Sequence, residues 1–506
     1  MKKINFKMIL SLMLIMVIAA AVLSGLSACG ENPETPRDNT PVNNNDNVPE
    51  NKNTGEEQPA DENELTPDLP ENVNMGGKIF TILVSNYAGY APLDAPDLGI
   101  EGLNGDGFND AAYNRDIAIQ EKFNCELKTV AFTNDGDADN ALKKSLNAGD
   151  SAYDIYIMRS GKFMKSVTSN YLTDLQEIPY LNFDMPWWNK STLDKLSFGK
   201  HSYAICGDVS VVDLLAIFNM YFNKDMISDF GLDSPYMFVK NGTWTVDKMY
   251  EVAKTVPADL NNDGKRDISD RFGVTHILDA VTALLNSAGE SYAVMNADGI
   301  PELSFNTESA FAKFIHITEM LTDHDTFLNA HLRSNPASQY EAGMFVNNQT
   351  LFSLGGIYYA PEMRAMESDF GIIPYPKYDE TQKEYYTPMC VVAVPFITVP
   401  TSNADLENTG IFLEEYAYQG RKTVLPAFYE ILLQRKVARD EESAEMLDLI
   451  FDNIFIDVGS VYNFAGMMSQ MNDNGSKGKI EIASFIEKIT PKAQKEIDKL
   501  VEAMLN

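Results

Sequence analysis

The stretch "DLNNDGKRDISD", residues 259–270, carries oxygen-bearing side chains at its first, third, fifth, ninth and twelfth positions and a glycine at its sixth. This is the spacing by which a 12-residue loop wraps Ca²⁺. The spacing predicts Asp259, Asn261, Asp263, Asp267 and Asp270 as side-chain ligands, Lys265 as a backbone-carbonyl ligand and Gly264 as the sharp turn. A plain solvated acidic turn is the rival reading. In both, the loop follows a helical pattern, so its task is to stiffen the chain locally, with any Ca²⁺ a structural clip.

Other constellations that could do chemistry are missing from the sequence. The five histidines form no H-E-x-x-H or comparable ligand set, and there is no G-x-S-x-G and no Walker loop. The glycines of "GIEGLNGDG" follow no strand pattern and match no phosphate fingerprint. A glycoside hydrolase would need two carboxylates ~5–10 Å apart. With 73 acidic residues some pair meets that distance by chance, and no pair is marked out. A formal net charge of −33 argues against nucleic acid, whose binders need basic stripes. No cofactor for activity is expected.

The N-terminus reads MKK, an apolar run from Met8 to about Leu23, then LSACG. Basic, apolar and small-residue regions in that order describe a secretory signal. LSAC resembles the lipobox of bacterial lipoproteins, which implies a signal peptide over 1–28 and acylation of Cys29. An uncleaved membrane anchor is the alternative. Residues 29–77 are polar and rich in Pro, Asn and carboxylates, with no apolar period, and read as a disordered tether. Of the later cysteines, Cys125, Cys206 and Cys390 allow at most one disulfide and read as buried small apolar residues.

From residue 78 the chain is too long for one ordinary core, so two lobes are expected. "KIFTILV" (78–84), "ELKTVAF" (126–132) and "YDIYIM" (153–158) read as buried strands. They alternate with helices over 109–124, capped at Asn109 or Asp110, and over 138–149. That alternation implies a parallel sheet covered on both faces. A second such region holds a helix over 245–256 capped by Thr245. Another helix, over 308–324, is expected to bury Phe311, Phe314, Ile315 and Leu321. Strands over 350–356, 369–376 and 391–400 follow, then a mainly helical C-terminus. Two extended stretches, 213–226 and 385–396, read as crossings between lobes. A chain that crosses, builds a lobe and crosses back makes a hinge with a cleft.

The order of "NDAAYNRDIAIQEKFN", "PWWNKSTLDKLSFGKHSYAICGD", "FNMYFNKDMI", "GTWTVDKMYEVAKTV", the acidic loop with "RFG", "DFGIIPYPKYDETQKEYYT" and "FIDVGSVYNFAG" resembles the extracellular solute-binding lipoproteins of bacterial ABC importers. Their sugar-binding group includes maltose-binding protein. The resemblance implies an α/β, two-lobed periplasmic-binding-protein-like fold with hinge-crossing segments. It places lobe 1 at 78–220 and 390–435 and lobe 2 at 221–389 and 436–506. It further implies a monomeric, non-catalytic binder of a sugar or oligosaccharide, lipid-anchored outside the cell membrane, with ABC permease subunits as partners. A secreted carbohydrate-active hydrolase or a ligand-sensing receptor domain are the alternatives.

Sugars need aromatic faces for their C–H surfaces and polar groups for their hydroxyls. Family site residues lie after sheet strands and beside the crossings, as the general rule for open α/β sheets requires. Carried onto this chain, that gives Ser85, Asn86 and Tyr87 after the first strand and Arg159 and Ser160 after the third. Tyr358 and Tyr359 in "GGIYYAPEM" and Tyr462 and Asn463 in "VYNFAG" complete the aromatic set. Trp187 and Trp188 stand in a polar context that disfavours burial of both, and Trp188 is a candidate for the cleft. Asp208 and Asp213 flank the first crossing and need a partner there. Tyr358→Ala is expected to weaken binding and leave the melting temperature unchanged. Within the acidic loop, Asp at position twelve departs from the EF-hand pattern and resembles a dockerin loop. Dockerins carry two loops and this chain holds one complete copy, so a docking role is not expected.

Overall fold

The computed structural model describes residues 65–85, 97–329, 338–363, 366–434 and 440–505. The expected signal segment, Cys29, Asn86 and Tyr87 lie outside these residues. Residues 65–77 have no regular structure, but the last of them are pinned: Met75 N–H donates to Phe123 O and Gly77 N–H to Asn124 O, each at 2.7 Å.

The first sheet grows from short apolar strands rich in β-branched and aromatic residues. It contains β1 (Lys78–Ser85), β2 (Cys125–Phe132), β3 (Ile155–Met158) and, from far along the chain, β12 (Phe396–Thr398), in the order β12–β3–β1–β2. Helices α1 (Gly107–Phe123), α2 (Asp135–Ala148) and α3 (Ser160–Thr168) connect and flank it. The cap of α1 is Asp106, whose side chain accepts from Phe108 and Asn109 N–H, so the helix starts ahead of the expected Asn109 or Asp110. Farther on, α4 (Val212–Leu215) is a single helical turn where the sequence suggested extended chain.

The second sheet has the order β10–β4–β9–β5–β8. Its strands are β4 (Phe218–Asn223), β5 (Phe272–His276), β8 (Phe327–Asn329), β9 (Thr350–Gly356) and β10 (Phe370–Ile373). Between them lie α5 (Val246–Ala253), α6 (Ala280–Ser287), the hairpin β6 (Ala293–Met295) with β7 (Pro301–Leu303), and α7 (Glu308–Leu321). Thr245 caps α5, accepting from Lys248 N–H at 3.2 Å. On α7 the buried stripe is Ala310, Phe314, Ile317 and Leu321, and Ile315 is 45% exposed. The true i, i+4, i+7, i+11 stripe therefore runs beside the expected one.

Neither sheet is wholly parallel. β1 runs parallel to β2 and β3, and β5 to β8 and β9, whereas β12 and β4 are antiparallel to their neighbours. These two are the strands by which the chain enters each lobe from the other. An entering strand starts at the lobe junction, so it runs against strands whose carboxyl ends point there. At the junction the crossings pair: Ile217 bridges Met389, and Cys390 N–H donates to Ala216 O at 2.8 Å.

The C-terminal third adds α8 (Leu406–Gln419) and α9 (Leu425–Gln434), joined through a π-helical turn at Gly420–Val424, both against α1. Then α10 (Glu441–Asp452) packs on β10, and β13 (Ile454–Phe455) pairs with β11 (Thr387–Pro388) of the second crossing. The chain ends in α11 (Val458–Tyr462), α12 (Met467–Gly475) and α13 (Ile482–Leu505). Among the described residues no helix is long and apolar enough to cross a membrane.

Candidate functional site

The carboxyl ends of the parallel strands bring chemistry to the junction. Ser85, the last residue of β1, is buried; its hydroxyl donates to Asp135 of α2 and its carbonyl accepts from Arg159 Nε at 3.2 Å. Arg159 follows β3, is 3% exposed, and also donates from Nη1 to Ala393 O. One guanidinium thus ties the end of β1 to the second crossing, with Ser160 buried beside it at the start of α3.

From the other lobe comes Asp279, three residues past β5. Asn472 Nδ2 donates to its Oδ1 at 3.1 Å, and Asn472 Oδ1 accepts from Thr282 N–H at 2.9 Å. The Cys390 thiol lies 3.8 Å from Asp279 Oδ2. Burial pushes the Cys390 thiol well above its usual range, Asp279 adds to the shift, and Arg159 opposes it. Arg159 and Asp279 thus both reach the second crossing, at Ala393 O and at the Cys390 thiol respectively. The cavity here is about 10 Å³, lined by Phe218, Asp279, Asn286, Cys390, Ser460 and Asn472 among others. That is roughly room for one water. Asp279, Asn472 and Ser460 were not expected from the sequence. Asp279 carried a readable signal, since it follows "FGVTH" as Arg159 follows "IYIM".

Tyr358 and Tyr359 follow β9, whose last residue pairs with the first crossing. Gly356 pairs with Phe218, and Ile357 N–H donates to Ile217 O of the first crossing at 2.9 Å. Both rings are 1% exposed, with centroids 4.4 Å apart. A Cβ on Gly356 would come within 2.5 Å of the Tyr358 ring, and one on Gly355 within 2.4 Å of the Tyr359 ring. The glycine pair is what lets two tyrosines fold back onto the strand. Tyr462 is also buried, its ring 5.3 Å from Phe163, 5.6 Å from Phe198 and 5.4 Å from Phe464. Asn463, left-handed at φ +44, donates from Nδ2 to Ser469 Oγ at 2.8 Å.

Three other candidates are built into the first lobe. Both tryptophans of the Trp187–Trp188 pair are buried, against expectation, because Glu414 accepts from both indoles, at 3.0 and 2.8 Å. Asp208 accepts from Arg421 Nη1 at 3.3 Å, and burial pushes its carboxyl up to about 6. Burial drives the Asp213 carboxyl well above its usual range, and the neighbouring Asp208 and Asp97 add to the shift.

In the acidic loop the carboxylates turn to the loop's own amides. Asp259 accepts from Asn262 and Gly264 N–H, Asn261 from Asp263, Asp263 from Lys265 and Asp267 from Ser269. The fully buried Asp270 accepts from Leu260 and Asp267 N–H and lies 3.7 Å from Arg266. Among the described residues no group of three or more His, Cys, Asp or Glu side chains could hold a metal ion.

No protein-family model matches the sequence, and no curated protein does. Solved structures do match in fold. An ABC substrate-binding protein from Listeria monocytogenes, in complex with cycloalternan, superimposes at a TM-score of 0.53 with 15% identity, covering 85% of this chain and 99% of its own. A cyclo/maltodextrin-binding protein complexed with maltotetraose matches at 0.53 and 13% identity, covering 85% and 98%. An ABC transporter solute-binding protein from Thermotoga lettingae, bound with α-D-tagatose, matches at 0.52 and 14%, covering 83% and 100%. The chain therefore has the two-lobed α/β fold of ABC-importer solute-binding proteins.

Proposed function

We propose that this protein is the substrate-binding component of an ABC importer. It captures a sugar or oligosaccharide between its lobes by hinge closure and delivers it unaltered to a membrane permease. Lobe 1 comprises 78–220 and 390–435, and lobe 2 comprises 221–389 and 436–506. The protein works as a monomer outside the cell membrane, anchored through acylated Cys29. The observation that carries this reading is that Arg159 and Asp279, which follow strands of the two different sheets, both reach the second crossing, Arg159 at Ala393 O and Asp279 beside the Cys390 thiol. A vicinal diol suits such a pair, since a guanidinium donates and a carboxylate accepts.

As the lobes part, Asn86, Tyr87, Ser160, Tyr358, Tyr359, Tyr462 and Asn463 supply the remaining polar and stacking contacts. Trp188, Asp208 and Asp213 hold lobe 1 together. Micromolar affinity, about −8 kcal/mol, allows both capture and release.

A thermal-shift screen against mono- and oligosaccharides tests the reading, followed by equilibrium dialysis with chemical analysis of the recovered sugar. At least one sugar is expected to raise the melting temperature and to be recovered intact, and Asp279→Ala to abolish the effect. Failure of every sugar to stabilise the protein, or recovery of a cleaved product, overturns it.

A further inference from the structure

Besides the paired crossings, the lobes meet through side chains, where Tyr462 packs on Phe163 and Phe198, and through one contact made by two glycines alone. On the lobe 1 side, Phe198 and His201 exchange backbone hydrogen bonds at 2.8 Å, closing a two-residue turn whose first member is Gly199 at φ +55. A left-handed first position is what such a turn demands of glycine. The turn is braced from behind, His201 Nδ1 lying 2.6 Å from Asp174 Oδ2 and Ser202 N–H donating to Asp174 Oδ1 at 2.9 Å.

On the lobe 2 side, the β6–β7 hairpin turns at Gly299, φ +71. Its tip is equally fixed: Asn296 Oδ1 accepts from Asp298 and Ile300 N–H, both at 3.0 Å, and Gly299 N–H donates to Asn296 O at 3.0 Å. The two tips touch, Gly199 N–H donating to Gly299 O at 3.2 Å. A Cβ on Gly299 would lie 2.4 Å from Gly199 N and 2.8 Å from Gly199 Cα. A Cβ on Gly199 would meet only Asp298 O, at 3.8 Å.

We propose that Gly199 and Gly299 form an interlobe clasp, a backbone latch that must release, along with the side-chain contacts of Tyr462, before the lobes can part and so shifts their open–closed balance. Rotation about the crossings can separate the lobes only when every contact off the hinge is broken. This contact has no side chains that could stretch to follow the motion. It rests on the hinge closure proposed above but not on any sugar, so ligand-free protein is the right material.

The test compares the full chain with its Gly299→Ala, Gly199→Ala and Gly231→Ala variants by small-angle X-ray scattering. Gly231 is also left-handed, at φ +62, with nothing within 4 Å of an added Cβ, and so controls for backbone strain alone. Gly299→Ala is expected to enlarge the radius of gyration, and the other two to scatter as wild type. Amide exchange on the wild-type protein gives a reading that needs no variant: Gly199 N–H is expected to be protected. An unprotected Gly199 amide, an unchanged Gly299→Ala profile, or equal expansion in all three variants overturns the clasp. None of these outcomes bears on whether the protein binds sugar.

Discussion

Tyr358 is 1% exposed and its ring lies over Gly356, so truncating it empties core volume as well as removing an aromatic face. Loss of a buried aromatic side chain costs about 3–5 kcal/mol. Tyr358→Ala is therefore expected to melt well below wild type, and Tyr358→Phe close to it; an alanine variant that melts like wild type would take the ring out of the core. This revises the expectation drawn from "GGIYY" alone. The sequence shows an aromatic pair after a strand, but its burial follows from the room two glycines leave. Trp187 and Trp188 were obscured for a related reason: their partner, Glu414, is more than two hundred residues away and no local pattern names it.

Asp457 offers a residue-scale test with a definite sign. It is 1% exposed, accepts from Tyr292 N–H, Gly459 N–H and Ser460 Oγ, and burial pushes its carboxyl from 3.8 up to about 6. Between those values the folded chain holds the proton more tightly than the unfolded chain. Its contribution to stability therefore falls as pH rises from about 4 to about 6. His276, buried and lowered to about 4, acts in the opposite sense over much of that window, so a difference is the clean measurement. The stability of Asp457→Asn relative to wild type is expected to grow between pH 4 and 6. A flat difference in urea melts would show that Asp457 titrates normally.

At the scale of elements, strands were legible because they are short, apolar and β-branched, and the cap at Thr245 because its hydroxyl has one clear use. The reversed direction of β4 and β12 was not legible, since it follows from where the chain enters each lobe. The acidic loop shows the limit of spacing as a guide. The same Asp and Asn positions that suit an ion also suit short side-chain caps on amides two to five residues on, and the observed bonds are of that kind. The loop closed in this way is expected to hold its shape unaided, so millimolar Ca²⁺ should leave the melting temperature within about 1 °C and a chelator should do likewise. A rise of several degrees that chelation reverses would show the carboxylates turning from amides to metal.

At the scale of the molecule, the junction encloses about 10 Å³ and a sugar ring fills many times that, so the proposed capture of a sugar would require the lobes to part. Met389 at one crossing and Met468 from α12 line the space, and flexible thioethers can swing aside. The three tryptophans take no part in this. Trp187 and Trp188 are held on Glu414 inside one lobe, and Trp244 is held in the other by Pro374 O at 3.1 Å and by Phe352. Rotation about the crossings leaves each indole with the same neighbours. Titration with a stabilising sugar is therefore expected to change the radius of gyration while the tryptophan emission maximum stays fixed, and unfolding in urea to shift it to the red. An emission shift that saturates with the sugar would mean that an indole reaches the ligand. Trp188 would then return to the binding site, and Glu414 would have to release it on opening.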